Sequence, residues 1–408
     1  MTRNLADARQ ALSAVFERFE AIEQENTAKV LSAFSELKVA QRHFAATEGY
    51  GYDDIGRDTL EKLFAAVFHT DSALVRPQLT SGTHTLALCL FGLLRPGDHL
   101  LSVTGAPYDT MQTVIGLSDD GTPGTLREMG VSFDAVPLKN GQIDLQAALM
   151  VLRPETRLVL MQRSRGYSGR PALSPEAMGA AARALKAARP DLLVMADNCY
   201  GEFTQTREPP DCGVDLAAGS LIKNPGGGLA PTGGYIVGPR KALDRVAARL
   251  TAPGIGGETG SYAAGYRLFY QGLFMAPHTV CQALKTAALA AFLAARAGYD
   301  AAPGAFDERN DIIEALSFHD KSKLLSFCRA VQAASPVDAF VTPEPWAMPG
   351  YQDEVIMAAG TFVGGASIEL SCDGPLRPPY TAYLQGALTF SHGALALERA
   401  FATMDAPC

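Results

Sequence analysis

Among 408 residues there is one tryptophan, and there is no C-x-x-C pair, no H-E-x-x-H pair and no cluster of lysines and arginines. Each absence removes a class of function. Seven scattered cysteines without paired spacing give neither a disulfide framework nor a structural zinc site, which fits a reducing compartment. The 35 basic residues are outnumbered by 43 acidic ones, and with no basic tract to follow a phosphate backbone a nucleic-acid partner is not expected. The opening "MTRNLADARQALSAVFERFE" lacks a continuous apolar segment, so no secretory signal is read there. The most apolar stretch, "TAALAAFLAA" (286–295), lies between Lys285 and Arg296 and is too short to span a bilayer. A cytoplasmic protein without a membrane partner is the expectation. Cys199, beside Asn198 but with no histidine near it in sequence, reads as a buried structural thiol rather than a nucleophile.

What the chain does have is apolar content: 47% hydrophobic against 19% charged residues, enough for a sizeable core. The first fifty residues carry apolar side chains at three- and four-residue spacing and predict helices. Thereafter apolar runs alternate with helical patterns: "ALVRP", "HLLSVT", "SFDAVPL", "LVLMQRS", "LLVMADN" and "LAAGSLI" predict strands, with "YIVG" as another. That alternation predicts an α/β protein with a mostly parallel sheet covered on both faces. Residues 298–309, rich in Gly, Pro and Asp, read as a linker; beyond it a helix (321–334), two strands ("VIMAAGTFV" and "SIELSCD") and closing helices predict a smaller α+β unit. The expected division is a helical segment over 1–50, a large domain over 51–298 and a small domain over 299–408.

In open parallel sheets ligands sit beyond the carboxyl ends of the strands, so the polar residues following each strand are the candidates. After "ALVRP" comes Thr80-Ser81-Gly82-Thr83 at a helix start, where hydroxyls and free N–H groups can hold an anion. After "HLLSVT" comes Tyr108, after "LLVMA" Asp197, and after "LAAGSLI" Lys223, three residues beyond Ser220. Singly these are a helix cap, a packing ring, a turn acid and a surface amine. Together they form an anion cradle, a flat aromatic, an acid able to hold a protonated ring nitrogen, and an amine. That is the inventory for pyridoxal 5'-phosphate, which needs a lysine and an acidic partner for its pyridinium.

The stretches "GYDDIGRDTLEKLFAAVF", "SGTHTLALCLFGLLRPGDHLL", "ADNCYGEF" and "SLIKNPGGGLAPTGGYIVG" resemble, in order and spacing, the cysteine/methionine-metabolism group of fold-type I pyridoxal-phosphate enzymes. "QRSRGYS", "LTAPGIG", "VTPEPWAMPGY" and "ASIELSCDGPLRPPY" resemble the branch known as the methionine gamma-lyase family or aluminium-resistance proteins, also described as cystathionine beta-lyases. The resemblance implies an aspartate-aminotransferase-like fold with a mostly parallel large-domain sheet and a smaller α+β C-terminal domain. It implies Lys223 as the lysine that bears the cofactor and Asp197 as the partner of its ring nitrogen. Ser81, Gly82, Thr83 and Ser220 would hold its phosphate, and Tyr108 would stack on the ring and protonate the departing sulfur. Arg377 would clamp the substrate carboxylate. In the wider group a Tyr-x-Arg segment from a neighbouring subunit completes the phosphate site. Here that segment reads "YGYDDIG", with Tyr50 and Tyr52 as candidates for substrate and phosphate contacts, Asp54 in the arginine's place and Arg57 as a substitute. A homo-oligomer, a dimer or a dimer of dimers, follows from that sharing.

Ser220-Leu221-Ile222-Lys223 also fits S-x-x-K, the serine-nucleophile motif of penicillin-binding proteins, but that chemistry needs a helix and Asn224-Pro225-Gly226 interrupts one. The favoured reading is carbon–sulfur cleavage of a small sulfur amino acid by β- or γ-elimination, through a Lys223 whose pKa is lowered by burial. γ-Replacement, transamination and a catalytically silent binding protein on the same fold are the alternatives.

Overall fold

The computed structural model describes residues 3–118, 121–348 and 353–405, so the end of "VTPEPWAMPGY" (residues 349–351) lies outside the described residues. Seven strands form the large sheet: β1 (Ser72–Arg76), β2 (His99–Ser102), β3 (Ser132–Ala135), β4 (Thr156–Gln162), β5 (Leu193–Asp197), β6 (Leu216–Ser220) and β7 (Gly234–Gly238). Their order is β1-β7-β6-β5-β4-β2-β3. The pairings from β6 across to β3 are parallel, and β7 runs antiparallel to both its neighbours. Successive side chains point to opposite faces, and the apolar residues divide accordingly. Leu101, Val159, Met161, Val194, Ala196, Ala217 and Val237 enter one core, whereas Leu100, Leu158, Leu160, Met195, Leu216, Ala218 and Ile236 enter the other.

Helices cover both faces. They are α1 (Arg3–Ala11), α2 (Ser13–Glu36), α3 (Ile55–Val67), α4 (Gly82–Leu93), α5 (Asp109–Ile115), α6 (Leu145–Val151), α7 (Pro175–Ala188), α8 (Pro209–Cys212), α9 (Arg240–Leu250) and α10 (Arg267–Arg296). The face bearing Leu100 and Ile236 is closed by α4, α5 and α9, which contribute Leu90, Met111 and Val246. The opposite face is closed by α3, α7 and α10, through Leu63, Ala182 and Leu284 among others. The α2 helix buries Val15, Phe19, Asn26, Val30 and Ala33, a spacing that presents one face, and packs on α10. The Asn26 amide donates to the carbonyls of Phe203 and Gln205, tying this helix to the turn after β5.

A five-stranded antiparallel sheet stands apart: β8 (Asp300–Ala302), β9 (Ile313–Ser317), β10 (Val355–Ala358), β11 (Ser371–Pro375) and β12 (Thr381–Gln385), in the order β10-β11-β12-β9-β8. The helix α11 (Lys321–Ala333) packs on it, and α12 (Phe390–Asp405) packs on α11 and α10. The predicted linker therefore contains an edge strand, β8. The predicted strand "VIMAAGTFV" stops at Ala358, and "SIELSCD" begins pairing only at Ser371. The reason is Glu369, whose carboxylate turns back to accept the N–H groups of Phe362 (2.7 Å) and Val363 (2.9 Å), closing a turn where a strand was expected. A further strand, β12 (Thr381–Gln385), precedes the closing helix α12.

Lys223 is followed by a tight turn, Asn224–Gly226, seated directly on α10. No side chain fits between them. A Cβ on Gly227 would lie 2.5 Å from the Gly272 oxygen of α10, and one on Gly272 would lie 2.4 Å from the Gly226 oxygen. Gly227 has φ +55 and its carbonyl accepts the Thr279 hydroxyl of α10 at 3.2 Å.

Candidate active site

The carboxyl ends of β4, β5 and β6 and the start of α4 open onto one cavity of about 610 Å³. Gly82, Thr83, Tyr108, Asp197, Lys223 and Arg377, six of the residues singled out from sequence, all line it. Each arrives there for a local reason. Asp197 ends β5 and Lys223 follows β6 by three residues, so strand register sets their separation. Gly82 begins α4, whose cap is Ser81; the Ser81 oxygen accepts the His84 N–H at 3.0 Å, leaving its own O–H proton to offer. Tyr108 caps α5, with its N–H on Gln162 Oε1 (3.2 Å) and its hydroxyl 3.1 Å from the Thr83 hydroxyl.

Ser220 lies next to this cradle. Among the described residues its buried hydroxyl has no hydrogen-bond partner, and a Cβ built on Gly82 would stand 3.5 Å from the Ser220 Cβ and 3.9 Å from Lys223 Nζ. Because Ser220 belongs to a strand and Lys223 to the turn after it, they share no helix and the S-x-x-K arrangement does not form.

Lys223 is half-buried, with Nζ 4.0 Å from the centroid of the Tyr200 ring. Burial pushes its pKa down, but the surrounding acidic groups Cys199, Tyr200, Tyr108 and Asp197 push it up, and the net direction is upward. Burial likewise raises Cys199, Tyr200 and Tyr108, which therefore keep their protons near neutral pH and leave Asp197 as the anion that matters. The expectation of a burial-lowered lysine is thus corrected: the net shift of Lys223 is upward, with the Asp197 charge among its causes. Asp197, 5% exposed, is pushed up by burial and drawn back by Lys223 and by the Cys199 N–H, which it accepts at 3.2 Å. The raised Cys199 thiol is no nucleophile, and it supports Asp197 through its backbone.

Arg377 reaches the cavity from the loop after β11. It donates to Asp353 Oδ2 at 2.9 Å and to the Tyr167 carbonyl at 3.1 Å. Tyr50 and Tyr52 stand outside the cavity, 76% and 59% exposed, with ring centroids 5.9 Å apart. Asp54 is no solvent-facing stand-in for an arginine. It caps α3 by accepting the Gly56 and Arg57 N–H groups, each at 3.0 Å, and its other oxygen accepts the hydroxyls of Thr47 (2.6 Å) and Tyr266 (2.7 Å). Burial pushes its carboxyl up, but these hydrogen bonds outweigh burial and hold it below the usual range. Arg57 is 2% exposed, donates to the Gly51 carbonyl at 2.7 Å and pairs with Asp58.

Sequence reasoning missed Gln162, Arg165, Arg170 and Tyr200 in the cavity wall. Gln162 ends β4, Arg165 and Arg170 follow within or just after "QRSRGYS", and Tyr200 falls three residues past Asp197. Their position at carboxyl strand ends was the signal available. A further acid, Asp373 of β11, is buried behind the wall and accepts the Tyr167 hydroxyl at 2.7 Å and the Gln385 amide at 2.8 Å.

A family model described as methionine gamma-lyase matches residues 1–405. The protein YnbB of Bacillus subtilis is 48% identical over 382 residues, which is 93% of this chain and 91% of YnbB. A crystal structure of a carbon-sulfur lyase involved in aluminum resistance from Clostridium novyi NT is 46% identical, covers 98% of this chain and 94% of its own, and superposes with a TM-score of 0.94. The pyridoxal-5'-phosphate-dependent protein YhfS of Escherichia coli, at 16% identity, shares the fold over 94% of this chain and 97% of its own, with a TM-score of 0.63.

Proposed function

The chain belongs to the methionine gamma-lyase family, and on that footing we propose that it cleaves a carbon–sulfur bond of a sulfur amino acid, releasing a keto acid, ammonia and a thiol. The fold is fold type I of the pyridoxal-phosphate-dependent enzymes, and the cofactor is pyridoxal 5'-phosphate. The observation that carries the proposal is the placement of Lys223 and Asp197 at the ends of adjacent strands in one cavity.

The residues present fit this cofactor. The partnerless Ser220 hydroxyl, the Thr83 hydroxyl, the remaining Ser81 proton and the α4 N-terminus at Gly82 make a donor cradle for its phosphate. The Tyr108 ring lies on the same wall, and Asp197 offers a negative charge to its ring nitrogen. Bound there, pyridoxal phosphate supplies a sink for the electrons left at the substrate α-carbon.

The chain's own groups do the rest. Arg377 exchanges Asp353 for the substrate α-carboxylate, which its planar fork can grip through two hydrogen bonds. Lys223 Nζ takes the α-proton, which requires the neutral amine. Asp197 would partner the ring nitrogen of the bound cofactor, and its charge would then favour the Lys223 ammonium less. Tyr108, kept neutral by burial and by Asp197, has a proton to give to the departing sulfur. β-Elimination releases the thiolate directly, whereas γ-elimination needs a second proton moved from the β-carbon, and Lys223 is the base within reach for both. Tyr50 and Tyr52, exposed side by side, support a reading in which this loop enters a neighbouring subunit's site, so that the working unit is a dimer or a dimer of dimers.

Borohydride reduction of the purified protein should fix the cofactor on the peptide containing Lys223; a label on any other lysine defeats the assignment. Incubation with cystathionine, cysteine, methionine and homocysteine should release a keto acid from at least one. Pyruvate marks β-elimination and 2-oxobutyrate marks γ-elimination. Amino transfer to the cofactor with no thiol released would replace the lyase reading with transamination.

A further inference from the structure

The segment after β4 leaves the large sheet and lands on the small one. Two buried acids receive it there. Asp311, just before β9, accepts the Arg165 N–H at 3.0 Å, and Asp373 of β11 accepts the Tyr167 hydroxyl at 2.7 Å. The two acids are 2% and 6% exposed. Between these anchors the segment closes on itself, the Ser168 hydroxyl donating to the Arg165 carbonyl at 2.6 Å.

Asp373 is itself held in place. The Gln385 amide donates to the same Oδ2 at 2.8 Å, and Asp373 lies opposite Tyr383 where β11 pairs with β12. Residues paired in this way share one face of a sheet. The Tyr167 ring lies against the Tyr383 ring, with centroids 5.2 Å apart and planes inclined by 33°. Ring and hydroxyl of Tyr167 are thus fixed by two residues that stand side by side on the small sheet.

The Tyr167 carbonyl is where this arrangement meets the cavity. It accepts Arg377 Nη2 at 3.1 Å, while Nη1 donates to Asp353 at 2.9 Å. The two contacts differ in kind. Asp353 is a partly exposed anion for which a substrate carboxylate can substitute. The carbonyl need not leave, because Nη2 carries a second proton for the incoming oxygen. Once Asp353 has been exchanged, the carbonyl still aims the guanidinium, and a side chain aimed in advance loses less freedom on binding.

Resting on the reading of Arg377 as the α-carboxylate clamp, we infer that Tyr167 is a positioning residue for it, with Asp373 as the anchor. The small sheet holds the tyrosine, and the tyrosine's carbonyl aims the arginine. Because the effect runs through Arg377, it reaches ligands that carry a carboxylate and no others.

Two amines test this on the holoenzyme, by titration of its visible absorption: L-alanine, and ethylamine, the same molecule without its carboxylate. Neither contains sulfur, so the outcome is independent of the lyase reading. Tyr167→Phe keeps the ring on Tyr383 and loses the hydroxyl. It should weaken L-alanine binding by about tenfold, the reach of one hydrogen bond, and leave ethylamine unchanged. Asp373→Asn, still an acceptor but uncharged, should lose less, and adding it to Tyr167→Phe should cost nothing more. In an Arg377→Lys background Tyr167→Phe should have no further effect. On a sulfur amino acid that is turned over, the Tyr167→Phe loss should fall in KM and spare kcat. If Tyr167→Phe does not fold, Asp373→Leu removes the acceptor, leaves the tyrosine in place and carries the same comparison. Wild type binding L-alanine no better than ethylamine, or Arg377→Lys binding it as well as wild type, defeats the clamp and this inference with it. A loss in Arg377→Lys with none in Tyr167→Phe, equal losses on both amines, or a further loss in the Arg377→Lys background overturns the positioning role alone.

Discussion

The Lys223 ammonium sits 4.0 Å from the centre of the Tyr200 ring, over a face whose electron density attracts a cation. In a partly desolvated site that attraction contributes on the order of 1–2 kcal/mol. Tyr200→Phe keeps the ring and should retain near wild-type turnover. Tyr200→Leu removes it and should lower kcat by about tenfold. Equal loss in both variants would mean that the Tyr200 hydroxyl, rather than its ring, holds the lysine.

Arg377 must leave Asp353 to take a carboxylate. The two side chains are 49% and 35% exposed, so the pair contributes only about 0–1 kcal/mol. Asp353→Asn should therefore lower KM by no more than about fivefold without changing kcat. Arg377→Lys should raise KM and leave the yellow cofactor in place, since an ammonium lacks the second hydrogen bond. Steady-state kinetics check both; an unchanged KM in Arg377→Lys removes it from carboxylate binding.

Asp197→Ala should lower turnover even at saturating substrate, because the acid acts on the cofactor ring and not on substrate affinity. A variant with wild-type kcat and a raised KM would assign Asp197 to substrate binding instead.

Burial pushes the Asp373 carboxyl up to about 6, against hydrogen bonds from Tyr167 and Gln385. An acid with a folded pKa above its unfolded one holds more protons when folded. Its contribution is complete below the unfolded value near 3.8 and is lost as pH rises towards 6. Asp373→Asn keeps an oxygen acceptor and has no charge to bury. Its unfolding midpoint, measured against wild type from pH 4 to 7, should improve relative to wild type with rising pH. A difference independent of pH contradicts this.

Tyr52 tests assembly. Lys223→Ala and Tyr52→Ala subunits should each be inactive, and mixing them should restore activity, because one hybrid site combines an intact lysine with an intact donated tyrosine. Mass-verified subunit exchange without recovery would confine Tyr52 to its own chain. Asp54→Arg, which recreates the wider group's pattern, should instead destabilise the protein by about 2–4 kcal/mol, since four donors lose their acceptor.

Lys223, Asp197, Thr83 and Tyr108 were legible because each lies at the carboxyl end of an apolar strand or within a few residues beyond it, and a parallel sheet gathers such positions at one edge. Arg165 and Arg170 were not, because nothing in "QRSRGYSGR" separates a cavity-facing arginine from one that holds a loop. That choice is made by contacts such as Arg170 with the Gln162 carbonyl at 2.9 Å. The role of Asp54 was hidden for a related reason: two of its four donors, on Thr47 and Tyr266, come from other parts of the chain, and Tyr266 is 212 residues away. In the small sheet, β8 and β12 have short, weakly alternating sequences that only the neighbouring strands make into a ladder.

The turn after Lys223 lies flush on α10, and that helix, about 45 Å long at 1.5 Å per residue, also packs against α2, α12, β8 and β9. It acts as a keel. The lysine's carrier is bolted to it, with bare glycine backbone at Gly226 and Gly272 leaving no slack. Arg377, by contrast, hangs on a surface loop by one exposed ion pair and one carbonyl. The cavity thus has a fixed jaw and a sprung one, and fitting to substrates of different length falls to the arginine side.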